Sequence, residues 1–211
     1  MRDSQRATLI LFSVAFIWGM TFIWMKQALA AADSHLIGVD GRWVAMHFVA
    51  FRFLIGSVFT IVLLRSSRSG FNDPEVWRGG FSLGLILILG FLIQMVGLTN
   101  VTPAVSAFLT SLYVVFTAII GVAIGRQRFT TFMLLGVVLA TFGAGWISGP
   151  PRVEFGVGEW LTVLSGFLFA LHIIVTDSVT RVVDPIQSTG TMMVTGCLLY
   201  TSPSPRDPRE S

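Results

Sequence analysis

Residues 90–125 read GFLIQMVGLTNVTPAVSAFLTSLYVVFTAIIGVAIG, a stretch without one charged side chain. It is not uniformly apolar. Gln94, Asn100, Thr102, Ser106, Thr110, Ser111, Tyr113 and Thr117 recur through it. Polar groups in such company are costly unless they find partners or water. Thr99-Asn100-Val101-Thr102-Pro103 interrupts the run, so the stretch is predicted to be two apolar helices joined by a tight turn. Their polar side chains would face one another or a cavity at mid-depth of a membrane.

The rest of the chain agrees. With 54% hydrophobic and 12% charged residues among 211, and a mean hydropathy of +0.78, there is too little polar material to skin a soluble domain of this size. Residues 7–25, 79–125, 129–151 and 160–176 contain no Asp, Glu, Lys or Arg. A spanning helix needs roughly 20 mostly apolar residues, and the runs are too long for the short alternating strands of an outer-membrane barrel. The fold class predicted is therefore all-α, a polytopic helical membrane protein. A sequence pI near 9.8 reads as loop topology rather than nucleic-acid binding. The lone Cys197 allows no intramolecular disulfide.

In order, spans are expected at about 7–30, 44–64, 79–98, 104–125, 129–148 and 158–176, with a seventh beginning near 186. The ALAAAD at 28–33 resembles a signal-peptidase site. The apolar run before it exceeds the roughly 7–15 residues of a signal-peptide core and holds Trp18 and Trp24, which favours a first span. Asp73-Pro74-Glu75, Pro103 and Asp184-Pro185 read as helix starts, and Gly149-Pro150-Pro151 as a stop. With the N-terminus in the cytoplasm, Arg2, Arg6, Arg65, Arg68, Arg78, Arg126, Arg128 and Arg181 all fall inside, leaving Arg42 and Arg152 outside. That bias fits the positive-inside rule and predicts a multi-pass protein of the cell (inner) membrane with a cytoplasmic N-terminus. Residues 200–211 turn abruptly rich in Pro, Ser and Arg. Residues from about 198 are read as a non-native or disordered tail, and the chain as truncated within its seventh span.

Several side chains are candidates for function. Arg52 interrupts the second span, where an arginine costs about 2.5–3.5 kcal/mol on insertion scales; it either faces a cavity to bind an anionic group or hold a gate, or snorkels to the outer interface or bonds helix ends. Lys26 ends the first span on the outer side and is either an interfacial snorkel or a second cavity charge. Trp18, Thr21 and Met25 share a helix face. Gln94, Asn100, Thr110 and Tyr113 are cavity-lining candidates, with hydrogen bonds to neighbouring helices as the alternative. His172 lies mid-span in the sixth helix, as a proton relay or a satisfied polar residue. Gly121 and Gly125 form GxxxG, continued by Gly136, Ala140 and Ala144, a pattern for close helix approach. Gly80-Phe81-Ser82-Leu83-Gly84 matches the nucleophile-elbow pattern G-x-S-x-G, but Ser82 opens a membrane span and no histidine is placed to help it. No catalytic residue, metal site or cofactor is expected, and no glycine-rich phosphate cradle occurs.

Four stretches together resemble the EamA-type transporters of the drug/metabolite transporter superfamily: AFIWGMTFIWMKQAL at 15–29, FRF at 51–53, GFLIQMVGLTNVTPAVSAFLTSLYVVF at 90–116, and GEWLTVLSGFLFALHIIVTDSVTRVVDP at 158–185. The order and spacing of the matches carry the resemblance, which covers about residues 8–196. It implies two inverted five-helix repeats, ten helices in all, with a substrate cavity between the halves. The chain would then hold a first repeat at 1–148, the start of a second at 149–197, and the tail at 198–211. The fourth span departs from the family's pattern, with Thr117-Ala118 where a proline is common. The function implied is secondary transport of a small organic metabolite, such as an amino acid or drug-like solute, by alternating access. Partners expected are the lipid bilayer, the small-molecule substrate and an ion or proton, with a homodimer left open and no nucleic acid. The alternative from another class is a non-transporting membrane protein, such as an intramembrane enzyme or a scaffold subunit.

Overall fold

The structure is a computed structural model that describes residues 3–35, 41–126, 128, 130–147 and 156–201. Among these, helices account for every regular element: α1 (Asp3–His35), α2 (Gly41–Leu63), α3 (Arg65–Ser69), α4 (Pro74–Asn100), α5 (Pro103–Ser111), α6 (Tyr113–Ala123), α7 (Thr131–Ile147), α8 (Val157–Val179) and α9 (Pro185–Thr201). Among the described residues, five segments are long and apolar enough to cross a membrane: Gln5–Ala32, Met46–Leu63, Pro74–Asn100, Pro103–Ala123 and Val157–Val179. The chain is a polytopic helical membrane protein. Helices α7 and α9, at 17 residues each, occupy the fifth and seventh expected spans. The tail predicted from 198 falls partly in α9, which continues to Thr201; residues 202–211 lie outside the described residues, as does the stop at 149–151.

Three helices begin on one sequence device. Asp73 Oδ1 accepts the Glu75 N–H at 2.8 Å, Thr102 Oγ1 accepts the Val105 N–H at 3.3 Å, and Asp184 Oδ1 accepts those of Ile186 and Gln187 at 2.9 and 3.1 Å. Each cap precedes a proline at the first helical position, where no intrahelical donor is lost. The turn at 101–102 closes the hairpin anticipated from residues 90–125. Between α2 and α4 the chain folds back on itself. Arg68 donates to the Ile61 and Val62 carbonyls at 2.8 and 3.3 Å, satisfying carbonyls left over at the α2 C-terminus.

The helical ladder of the fourth span is interrupted at Leu112, where α5 ends and α6 begins. Ser111 Oγ donates to the Phe108 carbonyl at 2.6 Å, the acceptor that the Leu112 N–H would normally use. That N–H turns instead to the Leu109 carbonyl at 3.3 Å. A hydroxyl inserted into the ladder is a standard cause of helix bending.

Helix α4 is the spine, packing most extensively against α8 and α9. In its apolar window 56% of residues are buried, against 11% for α1. The interface is built from small and hydroxylated residues. A Cβ on Gly84 would stand 2.6 Å from the Met192 carbonyl oxygen and one on Gly97 2.9 Å from that of Gly158, while Gly80 abuts Thr191. Thr162, Ser165, Ser188, Thr191 and Thr195 are buried beside them. Most of these hydroxyls bond backbone carbonyls, as Thr162 does to Gly158 at 2.8 Å and Thr191 to Val76 at 3.2 Å. Backbone approach of this kind is how helices associate when their solvent is as apolar as their side chains. The glycines of G-x-S-x-G thus serve α4–α9 packing. Ser82 lies within α4 and donates to the Arg78 carbonyl at 3.0 Å, so the strand-to-helix elbow is not present.

Gly125 plays a different part from the close packing expected of it. It takes φ 71° and ends α6: its N–H donates to the Val122 carbonyl and the Arg126 N–H to that of Gly121, both at 2.9 Å. This is the Schellman arrangement, which favours glycine in the left-handed region. Arg126 then pairs with Asp177 at 3.1 Å, and Arg181 with the same carboxylate at 3.0 Å.

Close approach at α4–α9 predicts that Gly84→Ala, which forces a Cβ against backbone, destabilises the protein by about 1–3 kcal/mol. Gly136→Ala meets nothing within 4 Å and should be neutral or slightly stabilising. Thermal melts of the two variants in one detergent compare them directly; equal melting temperatures would refute the packing role.

Candidate functional site

A cavity of about 720 Å³ opens between α1, α2, α4, α6, α8 and α9. Its wall is chiefly aromatic and its polar groups are few. Trp18 and Tyr113 lie near-parallel, at 14° with ring centroids 6.4 Å apart. Phe169 stands edge-on to Trp18 at 6.3 Å and to Phe91 at 5.1 Å, and Phe91 meets Phe53 at 6.1 Å. The rings form a belt from α6 through α1 and α8 to α4 and α2. Such edge-to-face and offset contacts are favoured by the ring quadrupoles and hold the wall in one shape.

Arg52 enters this belt from α2. Its Cζ stands 4.3 Å from the Phe91 ring centroid, a cation–π distance. Among the described residues it makes no hydrogen bond or ion pair, and no described lining residue is a carboxylate. The contact sets the guanidinium over an aromatic ring, and no described residue accepts from its N–H donors. His172 lines the cavity from α8, its Nδ1 buried without a hydrogen-bond partner among the described residues. The Thr21 hydroxyl also lines the cavity but donates to the Trp18 carbonyl at 2.6 Å, so it contributes mainly shape and a spare acceptor.

Of the residues singled out from sequence, the structure brings Trp18, Thr21, Arg52, Tyr113 and His172 together around the cavity. The other four lie elsewhere, each for a visible reason. Lys26 Nζ donates to the carbonyls of Leu98 and Val101 at 3.0 and 3.2 Å. It caps the C-terminal end of α4, where leftover carbonyls and the helix dipole attract a cation. Gln94 Nε2 donates to Thr110 Oγ1 at 2.9 Å in the fully buried α4–α5 contact. Asn100 is exposed at the turn and donates to Thr99 Oγ1 at 3.0 Å. Met25, which shares the Trp18 face in sequence, is in the apolar core instead.

Sequence reasoning passed over Phe53, Phe91, Phe169 and Met193, all of them in the wall. The available signal was Phe169 three residues before His172, one face of α8. Phe91 and Phe53 carry no such mark in a chain with 18 phenylalanines.

An α-helical bundle with an aromatic cavity, one arginine and no acid in its described wall defines a multi-pass membrane protein equipped to hold a small solute. The comparison with known families agrees: the EamA-like transporter family model matches residues 5–149, and the chain belongs to that family. It is similar to an "uncharacterized transporter" of Archaeoglobus fulgidus, 30% identical over 179 residues, covering 85% of this chain and 51% of that protein. It is also similar to a "probable purine permease 4" of Arabidopsis thaliana, 28% identical over 161 residues, covering 69% of this chain and 42% of that one. The chain thus spans about half the length of the curated relatives it matches. No solved structure matches it.

The Lys26 cap predicts that Lys26→Met, close in volume but without the donor, destabilises the protein by about 1.5–3 kcal/mol, the range for hydrogen bonds to charged groups. Solute binding in the cavity should be unchanged. A melt unaltered by the substitution, together with weakened binding, would place Lys26 in the site instead.

Proposed function

We propose that the cavity is the substrate site of a secondary transporter that moves a small organic solute across the cell membrane by alternating access. One observation carries this reading: the cavity wall is shared between α1, α2, α4 and α6 on one side and α8 and α9 on the other. Residues 1–148 are then a first five-helix repeat, and the chain from 149 opens a second. A solute held between the two units touches both, so rocking one against the other exposes it to alternate faces of the membrane. Relatives about twice the matched length support a second unit larger than α8 and α9.

The aromatic belt favours a flat, unsaturated solute, and the relative named as a probable purine permease is in keeping with that shape. An ion gradient or exchange supplies the driving force, and His172 is the group in the wall suited to carry a proton. The N-terminus is cytoplasmic, which places Arg126 and Arg181, gathered on Asp177, with the other basic loops on that side.

Two tests follow. Genomic sequence downstream of codon 196 should continue through three or more further apolar segments; a stop codon at 212 in the native gene would remove the two-repeat reading. In proteoliposomes carrying the complete gene product, Trp18→Ala and Phe169→Ala should each raise the KM for uptake by about tenfold, from lost ring contacts of roughly 1–1.5 kcal/mol, with little change in the maximal rate. Unaltered KM in both would separate the cavity from transport.

A further inference from the structure

We infer that the cavity selects anionic solutes, a planar carboxylate being the simplest member of the class, with Arg52 as the anion ligand. This rests on the substrate-site reading above and adds a charge to it. No described group within the cavity pairs with Arg52. The described wall holds no Asp or Glu. Its other polar members are Thr21, Tyr113, His172 and Thr176, of which Thr21 and Thr176 donate to their own helices at 2.6 and 2.7 Å. Lys26, the other cation considered, is committed to the α4 C-terminus. Arg52 is thus a cation in an apolar span that makes no ion pair or hydrogen bond among the described residues, and such charges ordinarily pair with something.

Its geometry says what kind of partner fits. The ring of Phe91 lies 4.3 Å from the guanidinium carbon, and no described residue accepts from the N–H donors along the guanidinium edge. That edge matches the two oxygens of a carboxylate, or two oxygens of a phosphate, in a bidentate pair. The near-parallel Trp18 and Tyr113 and the edge-on Phe169 supply π faces for the body of the solute. A cationic solute would meet the same π faces but also the repulsion of Arg52, with no carboxylate to offset it. A neutral solute would leave the arginine unanswered.

Binding of 2-naphthoate and of its uncharged isostere 2-naphthamide to the purified 211-residue chain, in neutral detergent without anionic lipid, tests the inference. Wild type should bind naphthoate at least about tenfold more tightly in a saturable, displaceable manner. Arg52→Gln should abolish that preference while keeping naphthamide binding, which also reports an intact cavity, and Arg52→Lys should retain part of it. Equal affinity of wild type for the two probes would overturn the inference without recourse to any variant. So would a preference that survives in Arg52→Gln, or one lost in Arg52→Lys when Arg52→Gln binds neither probe. Anionic phosphatidylglycerol added at a few molecules per protein should not displace naphthoate. Displacement would reassign Arg52 to a lipid headgroup. If neither naphthyl probe binds wild type, the substrate-site reading fails with it; if naphthamide alone binds, only the charge assignment does.

Discussion

The backbone of α4 comes so near the backbones of α8 and α9 that a single methyl group at Gly84 or Gly97 would collide with a carbonyl. Everything else in the bundle is arranged around that approach. In hydrocarbon, helices gain nothing by hiding leucine from lipid, so association depends on close van der Waals contact and on polar groups that would otherwise be unsatisfied. Glycine, serine and threonine along α4, α8 and α9 provide both. Large apolar residues such as Leu9, Phe12 and Phe59 are left pointing outward, where the lipid is their solvent.

The same spine sets the cavity. Because α4 is clamped along its α8 and α9 faces, Phe91 is held against Phe169 and beneath Arg52. The arginine then projects from α2 into a wall that it did not have to build. Lys26 reaches across from α1 to tie the outgoing end of α4, and α5 begins immediately on the Thr102 cap. One span does two jobs on either side of Leu112. Thr110, before it, bonds Gln94 in the buried contact; Tyr113, after it, stacks its ring near that of Trp18.

The buried hydroxyls and amides repay attention for what they do not reach. Gln94 Oε1, Ser106 Oγ and Thr195 Oγ1 are buried without a hydrogen-bond partner among the described residues. They lie on α4, α5 and α9, and none of them lines the cavity. Polar character in a span is therefore not by itself a sign of the cavity, since here it divides between helix contacts and solute-facing positions.

Sequence alone determined the class of protein, the position of the membrane-spanning helices, and where α4, α5 and α9 start. These follow from local chemistry: charge-free length, a proline after an Asp or Thr, a basic residue beside an apolar end. The EamA pattern was legible in the same way, from motifs that keep their order. Which polar residues face the cavity was not legible. Lys26 and Arg52 look alike on paper, as cations in apolar spans, and so do Gln94 and Tyr113 within the stretch at 90–125. Only the tertiary structure separates them, because the deciding fact is what lies opposite: carbonyls at a helix end for Lys26, Thr110 for Gln94, open space and an aromatic ring for Arg52. The glycines divide for the same reason. Gly125 and Gly84 each sit in a small-residue pattern, but one turns the backbone at the end of α6 and the other makes room for a carbonyl of α9.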